Sequence, residues 1–236
     1  MSRVKKSVSE SKSLSPKEKI INVSRYLFLT LGYEKTTIRK ILQETGLTTG
    51  SLYHFFKDKE EILLEISKEA FHEAGIIGEI LSAEQKNQPL IVFSLAFSIP
   101  IILSHMNERI AELFLIAHNS WKISKALQSA ALERNQKLLC EPLGIHFSPE
   151  ELFVLSLSSK GCVHNLISET VYEKKLNLSL KLKLSLEVVF NIFGVPKNFG
   201  EGAISETLRV ASSKRKVFQK IIDQAITKKS ISKILI

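Results

Sequence analysis

The chain of 236 residues is long enough for one substantial domain with a smaller one attached, and its 44% hydrophobic content is ample for a buried core. Its two cysteines, Cys140 and Cys162, fit neither a disulfide framework nor a metal-ligand spacing, and read as small buried side chains of a reducing compartment. The formal charge of +9 is uneven: residues 1–60 and residues 203–236 each carry a surplus of +6 and the middle is mildly acidic, which suits an end that approaches phosphates.

Residues 1–15 hold six serines and several lysines without a hydrophobic period, and read as a disordered basic arm. Arg3, Lys5 and Lys6 precede no apolar run of signal-peptide length, so a cytoplasmic location is expected. Ser15-Pro16-Lys17-Glu18 is a capping box with proline at the first helical position. Ile20, Val23, Leu27, Phe28 and Leu31 follow at helical spacing, and Gly32 closes that helix.

The most informative stretch is TTIRKILQETGLTTGSLYHFFKDKEEIL, residues 36–63. Thr37 caps a short helix whose Ile38, Ile41 and Leu42 form a buried stripe. Gly46 ends it where the backbone must turn left-handed, and Leu47 plugs the corner. Thr48 caps a second short helix through Phe55, held to the core by Leu52, Phe55 and Phe56. Thr49, Ser51, Tyr53 and His54 then face outward. Two helices joined by such a turn, with small polar and aromatic groups on the outer face, describe a DNA-reading helix-turn-helix. Asp58-Lys59-Glu60-Glu61 is a further capping box and opens a long helix.

The glycine turn, the glycine before Ser51, the LYHFF run and the K-x-K-E step occur together and in order. With the LGYEKTT lead-in, they resemble the DNA-binding domain of the tetracycline-repressor (TetR) family over roughly residues 16–63. Leu42 and Thr45 depart from the pattern, standing where family members mostly carry alanine. The resemblance implies an all-α fold, with an N-terminal three-helix DNA-binding domain (16–62), a larger helical ligand-binding and dimerisation domain (63–202) and a basic C-terminal extension (203–236) that it does not cover. The arm at 1–15 would lie in an adjacent minor groove or remain solvated.

Along the body, the long helix from Glu60 is expected to reach the low eighties. Residues 87–107 contain no Asp, Glu, Lys or Arg. Their apolar run is nearer fourteen residues than the roughly twenty of a membrane span, and Pro100 interrupts it, so a helix buried on all sides is expected and no stable membrane insertion. Helices are predicted over 108–119 and 121–141, the latter breaking at Pro142-Leu143-Gly144. Ser148-Pro149-Glu150-Glu151 starts another helix through about Tyr172. From Leu176 to Leu186 leucine alternates with polar residues, a strand signal. The helix propensity of leucine and lysine, and the lack of a partner strand, favour a helix over 179–193 instead.

The resemblance further implies a homodimer through roughly 149–172 and 179–193, a repressor or activator on near-palindromic double-stranded operator DNA, its reading helices about 34–36 Å apart. Thr49, Gly50, Ser51 and His54 are candidates for the base-facing surface, with Thr48 capping the reading helix. Tyr53, Thr37 and Lys59 are candidates for phosphate contacts, followed by Arg39 and Lys57. A small apolar ligand would occupy a pocket in the body, with Phe93, Phe97, Met106, Phe114, His118, Trp121 and His164 as candidate lining. No cofactor or metal is expected. Nor is enzymatic activity, since the six histidines are scattered and no nucleophile elbow, phosphate-cradling glycine loop or zinc-binding pair occurs. A membrane-associated helical interaction protein is the alternative reading, resting on residues 87–107 and the basic end.

Overall fold

The computed structural model describes residues 14–86 and 88–227; most of the predicted arm, Asn87 and the last part of the basic extension lie outside them. Every regular element among the described residues is helical. Helix α1 (Pro16–Leu31) starts as the sequence predicts: Ser15 Oγ accepts from the Glu18 N–H at 3.3 Å, and the Glu18 carboxylate accepts from the Ser15 N–H at 2.8 Å. Ile20, Val23, Leu27 and Phe28 bury its inner face. Helices α2 (Ile38–Thr45) and α3 (Thr49–Phe55) pack across α1, and α4 (Lys59–Leu81) completes the unit. Asp58 caps α4 by accepting from the Glu61 N–H at 2.8 Å, but the Glu61 carboxylate accepts from the Lys57 N–H, one residue beyond the expected reciprocal partner. Each such cap is worth about 1 kcal/mol, so these starts are fixed locally before any packing.

Helix α4 serves two cores. Ile62, Leu63 and Ile66 belong to a core with Ile20, Phe28, Ile41, Leu52 and Phe56, whereas Ala74, Ile77 and Leu81 belong to the core of the body. The first core also takes in Ala117 and Ile123 from the helices that follow, so the DNA-binding unit is seated in the body instead of ending at residue 62. At Gly78 the backbones of α4 and α5 (Pro89–Met106) nearly touch. An added Cβ would lie 2.9 Å from the Val92 carbonyl oxygen and 3.1 Å from the Ala96 nitrogen, so only glycine permits this approach.

Helix α5 is the axis of the body, packed by α4, α6, α9, α10, α11 and α12. Among the described residues it is the one helix long and apolar enough to cross a membrane, yet 67% of it is buried inside the protein. That burial accounts for its all-round apolarity and goes against the membrane-associated alternative. Helices α6 (Glu108–Asn119) and α7 (Trp121–Asn135) follow the predicted bounds; a wider π-turn, Gln136–Cys140, and a single turn, α8 (Glu141–Leu143), finish the second. Helix α9 (Pro149–Tyr172) opens with the predicted capping box, Ser148 with Glu151.

The alternating leucine segment forms α10 (Leu178–Ile192). Leu182, Leu186 and Val189 face the core, while Leu180, Leu184 and Val188 are 38%, 47% and 49% exposed at i, i+4 and i+8. Alternation thus splits the leucines between an inner and an outer stripe of one helix. Lys181 is buried between them, its ammonium paired with Glu169 and donating to Thr170 Oγ1 at 2.5 Å. The basic end is not a separate appendage beginning at 203: α11 (Lys197–Ser213) runs through that boundary and packs on α5 and α10, and α12 (Arg215–Ile226) packs on α1 and α5.

Candidate nucleic-acid interface and cavity

The corner between α2 and α3 is built from local hydrogen bonds. Thr37 Oγ1 accepts from the Lys40 N–H and Thr48 Oγ1 from the Ser51 N–H, both at 3.2 Å. Gly46 takes φ 66° and ψ 18°, the left-handed conformation the turn requires. Thr45, at a position where small residues are expected, is 1% exposed; its hydroxyl donates to the Ile41 carbonyl at 2.8 Å and so costs no unpaired group. Leu52, fully buried, fixes which face of α3 turns outward.

On that outward face Thr49, Gly50, Tyr53 and His54 are exposed and Ser51 is half-buried. Tyr53 is 51% exposed, which leaves its hydroxyl outside the core. A Cβ at Gly50 would meet nothing within 4 Å, so internal packing does not demand the glycine. His54 sets its ring against Phe55, with centroids 4.8 Å apart. Arg39 and Lys57 are exposed on either side. Among the candidates for base and phosphate contact, those on α3 thus lie on one short helix whose opposite side is held to the core by Leu52.

Lys59 differs from its expected disposition. Its ammonium donates to the carbonyls of Tyr33 at 2.7 Å and Thr36 at 3.1 Å, and sits 4.0 Å from the centroid of the Tyr33 ring. Burial lowers its pKa, and burial beside Glu60, Glu34 and Asp58 pushes the Tyr33 hydroxyl up to about 12. The ammonium is engaged in holding the α1–α2 connection; what Lys59 offers outward is its backbone N–H at the start of α4.

Behind this unit lies a cavity of about 280 Å³ enclosed by α1, α4, α5, α6, α7, α9 and α12. Phe93, Phe97, Phe114 and His118 line it. Three other candidates do not. Trp121 is 70% exposed: it shares the helical face of Ser124 and Gln128, but at the first turn of α7 it lies at the end of that stripe, outside the cavity. Met106 sits at the end of α5 against the main core, beyond the cavity. His164 stacks behind His118, ring centroids 6.0 Å apart, and reaches the cavity only through it.

Sequence reasoning missed the cavity's polar residues. Arg25 of α1 lines it and pairs with Glu69. Glu73 lines it nearby, its carboxyl pushed up to about 7 by burial against the opposing pull of Arg25, with Glu69 adding to the rise. Lys160 of α9 donates to Ser124 Oγ at 2.6 Å and His118 O at 3.4 Å. Burial, then Lys160, then His164 push His118 down to about 3, so the ring is neutral. Arg134 lays its guanidinium 4.4 Å from the centroid of the Phe71 ring. None of these positions carries a sequence signal beyond a polar residue on the inner stripe of an amphipathic helix.

Residues 20–66 match the model of the bacterial regulatory proteins, tetR family. The HTH-type transcriptional repressor Rv1474c of Mycobacterium tuberculosis is 31% identical over 62 residues, 26% of this chain and 33% of its own length. The chain thus spans only a third of that relative. Among solved structures, SmeT, the repressor of the Stenotrophomonas maltophilia multidrug efflux pump SmeDEF, aligns over 76% of this chain and 90% of its own with a TM-score of 0.53 and 22% identity. Thermus thermophilus FadR, a TetR-family transcriptional repressor in complex with lauroyl-CoA, aligns over 74% of this chain and 93% of its own with a TM-score of 0.57 and 18% identity. At such identities these two likenesses carry the fold, helical body included, and the N-terminal match carries the family. Residues 20–66 thus match the DNA-binding domain of the tetR family of bacterial regulatory proteins, and the helical body behind them has the fold of these two repressors.

Proposed function

We propose that the protein is a cytoplasmic, homodimeric transcriptional repressor that binds a near-palindromic operator and releases it when a small apolar-bodied ligand enters the cavity. The observation that carries this reading is the outward face of α3, where Thr49, Gly50, Tyr53 and His54 are exposed over a helix anchored by Leu52. Thr49, Gly50, Ser51 and His54 read bases; Tyr53, Thr37, Arg39, Lys57 and the N-terminus of α4 at Lys59 hold phosphates, and Thr48 caps the reading helix. The exposed stripe Leu180, Leu184 and Val188 on α10, with Val154 and Tyr172 on α9, supports a second copy as the partner. The cavity touches both α1 and α4, so a ligand there bears directly on how the DNA-binding unit is held. FadR with lauroyl-CoA is a precedent for ligand binding in this fold.

Footprinting on DNA upstream of its own and neighbouring genes tests the reading. A protected, two-fold related sequence is expected. His54→Ala should change the preferred base at one position per half-site, by about 1–3 kcal/mol of discrimination. Lys57→Ala should weaken all sequences alike and lower the salt slope by about 1. A chain that protects no sequence, or pellets with membranes instead, would sink the proposal.

A further inference from the structure

The cavity's charges do not balance. Arg25 has Glu69 as its partner, and the carboxyl of Glu73 faces that same pair. Arg134 and Lys160 line the cavity with no carboxylate of the described residues beside either. Lys160 at least donates to a hydroxyl and a carbonyl. Arg134 has the face of Phe71 beneath it, and its buried Nε lacks an acceptor among the described residues. The buried Nε2 of Gln128, on the same inward stripe of α7, also lacks one. Burial alone pushes the Arg134 guanidinium down to about 10, which leaves it charged at neutral pH.

A desolvated cation without a counter-charge is unfavourable, and unpaired donors beside it add to the cost. A guanidinium stacked on an aromatic face still presents its edge, the geometry that grips a carboxylate through two parallel hydrogen bonds. Most of the remaining wall, with Phe93, Phe97 and Leu103 along α5, is apolar. We infer that the ligand of this cavity is a monocarboxylate with an apolar body, its carboxylate seated on Arg134 and Gln128 and its body lying along α5. This rests on the ligand-responsive reading proposed above and narrows it to one head-group chemistry.

Calorimetric titration of the full chain with decanoate, decan-1-ol and decyltrimethylammonium, all below their micellar concentrations, compares three heads on one tail. Decanoate should bind one per chain and about tenfold or more tighter than the alcohol, with the ammonium weakest. Arg134→Gln should bring decanoate to within about threefold of the alcohol, while Arg134→Lys should keep most of the preference. The wild-type ranking needs no variant to fold. Equal or tighter binding of the alcohol or the ammonium, no binding of any probe, or an Arg134→Gln protein with its preference intact would each overturn the inference. DNA binding by the ligand-free protein, measured in parallel, separates the two levels. A protein that shifts its operator but ranks the heads otherwise refutes only the carboxylate; one that shifts no DNA refutes the regulator.

Discussion

Two cations divide the molecule. At the DNA-binding end, Lys59 spends its ammonium on the carbonyls of Tyr33 and Thr36 and on the Tyr33 ring, and the threonine hydroxyls at 37, 45 and 48 are all engaged in caps or turns. In the cavity, among the described residues, Arg134 has no carboxylate, Gln128 Nε2 and Arg134 Nε are buried without acceptors, and His118 Nδ1 is buried without a partner. The first region is nearly complete as it stands: Ser24 Oγ apart, its polar groups fix a shape, and its exposed residues face the proposed partner, a polyanion. The second is incomplete, and its unmet donors describe what is missing. In the proposed roles, a rigid reader and an unsatisfied sensor place opposite demands on buried polarity.

The sharpest way to break this contrast is at the core that joins the regions. Leu52 is fully buried beneath α3, in a cluster that includes Ala117 and Ile123 of the body. Leu52→Ala should cost about 2–5 kcal/mol and lower the midpoint of one cooperative urea transition followed by circular dichroism. A curve that splits into two transitions would show that the reader folds apart from the body. Next, Lys59→Met should cost about 1–3 kcal/mol, because it strands the Thr36 carbonyl and leaves the Tyr33 carbonyl with the Thr36 N–H alone. Its loss of DNA affinity should track the loss of stability and leave the salt slope nearly unchanged; a slope lower by about 1 would restore the ammonium to a phosphate.

The smallest effect concerns pH. Glu73 titrates near 7 in the folded chain against 4.5 when free, so the folded state holds the extra proton between those values and stability falls as pH rises through 7. His118 runs the other way: held near 3 against 6.5, it makes stability fall as pH drops below 6.5. Glu73→Gln should therefore stabilise the protein at pH 8, on the order of 1 kcal/mol after solvent screening, and change little at pH 4.5. Thermal melts across that range check the sign.

What the sequence made legible follows the same division. Caps at Ser15, Thr37, Thr48 and Ser148 and the turn at Gly46 are contacts within three or four residues, so their signals lie side by side in the chain. The outward face of α3 was legible because a helix this short, pinned by Leu52, has only one other side. The cavity is a meeting of seven helices, and no local pattern distinguishes Arg134, which lines it, from Trp121, which lies outside it. The seating of α12 on α1 joins residues some two hundred positions apart and leaves no periodic trace beyond an ordinary buried stripe.

The contact at Gly78 has a mechanical consequence. Helix α4 is pressed against α5 there so closely that the two backbones cannot slide or approach further, yet no side chain of Gly78 interlocks them against rotation. If the proposed response to ligand uses this crossing as a fulcrum, nineteen residues of α4, about 28 Å, form the lever running to Lys59 and the reading unit. A tilt of about 5° at Gly78 sweeps the far end by about 2.5 Å, enough to take a reading helix out of step with its groove. Because Phe71, Glu73 and Ala74 of the same helix line the cavity, the proposed ligand would press on that lever close to its pivot, where small displacements are magnified.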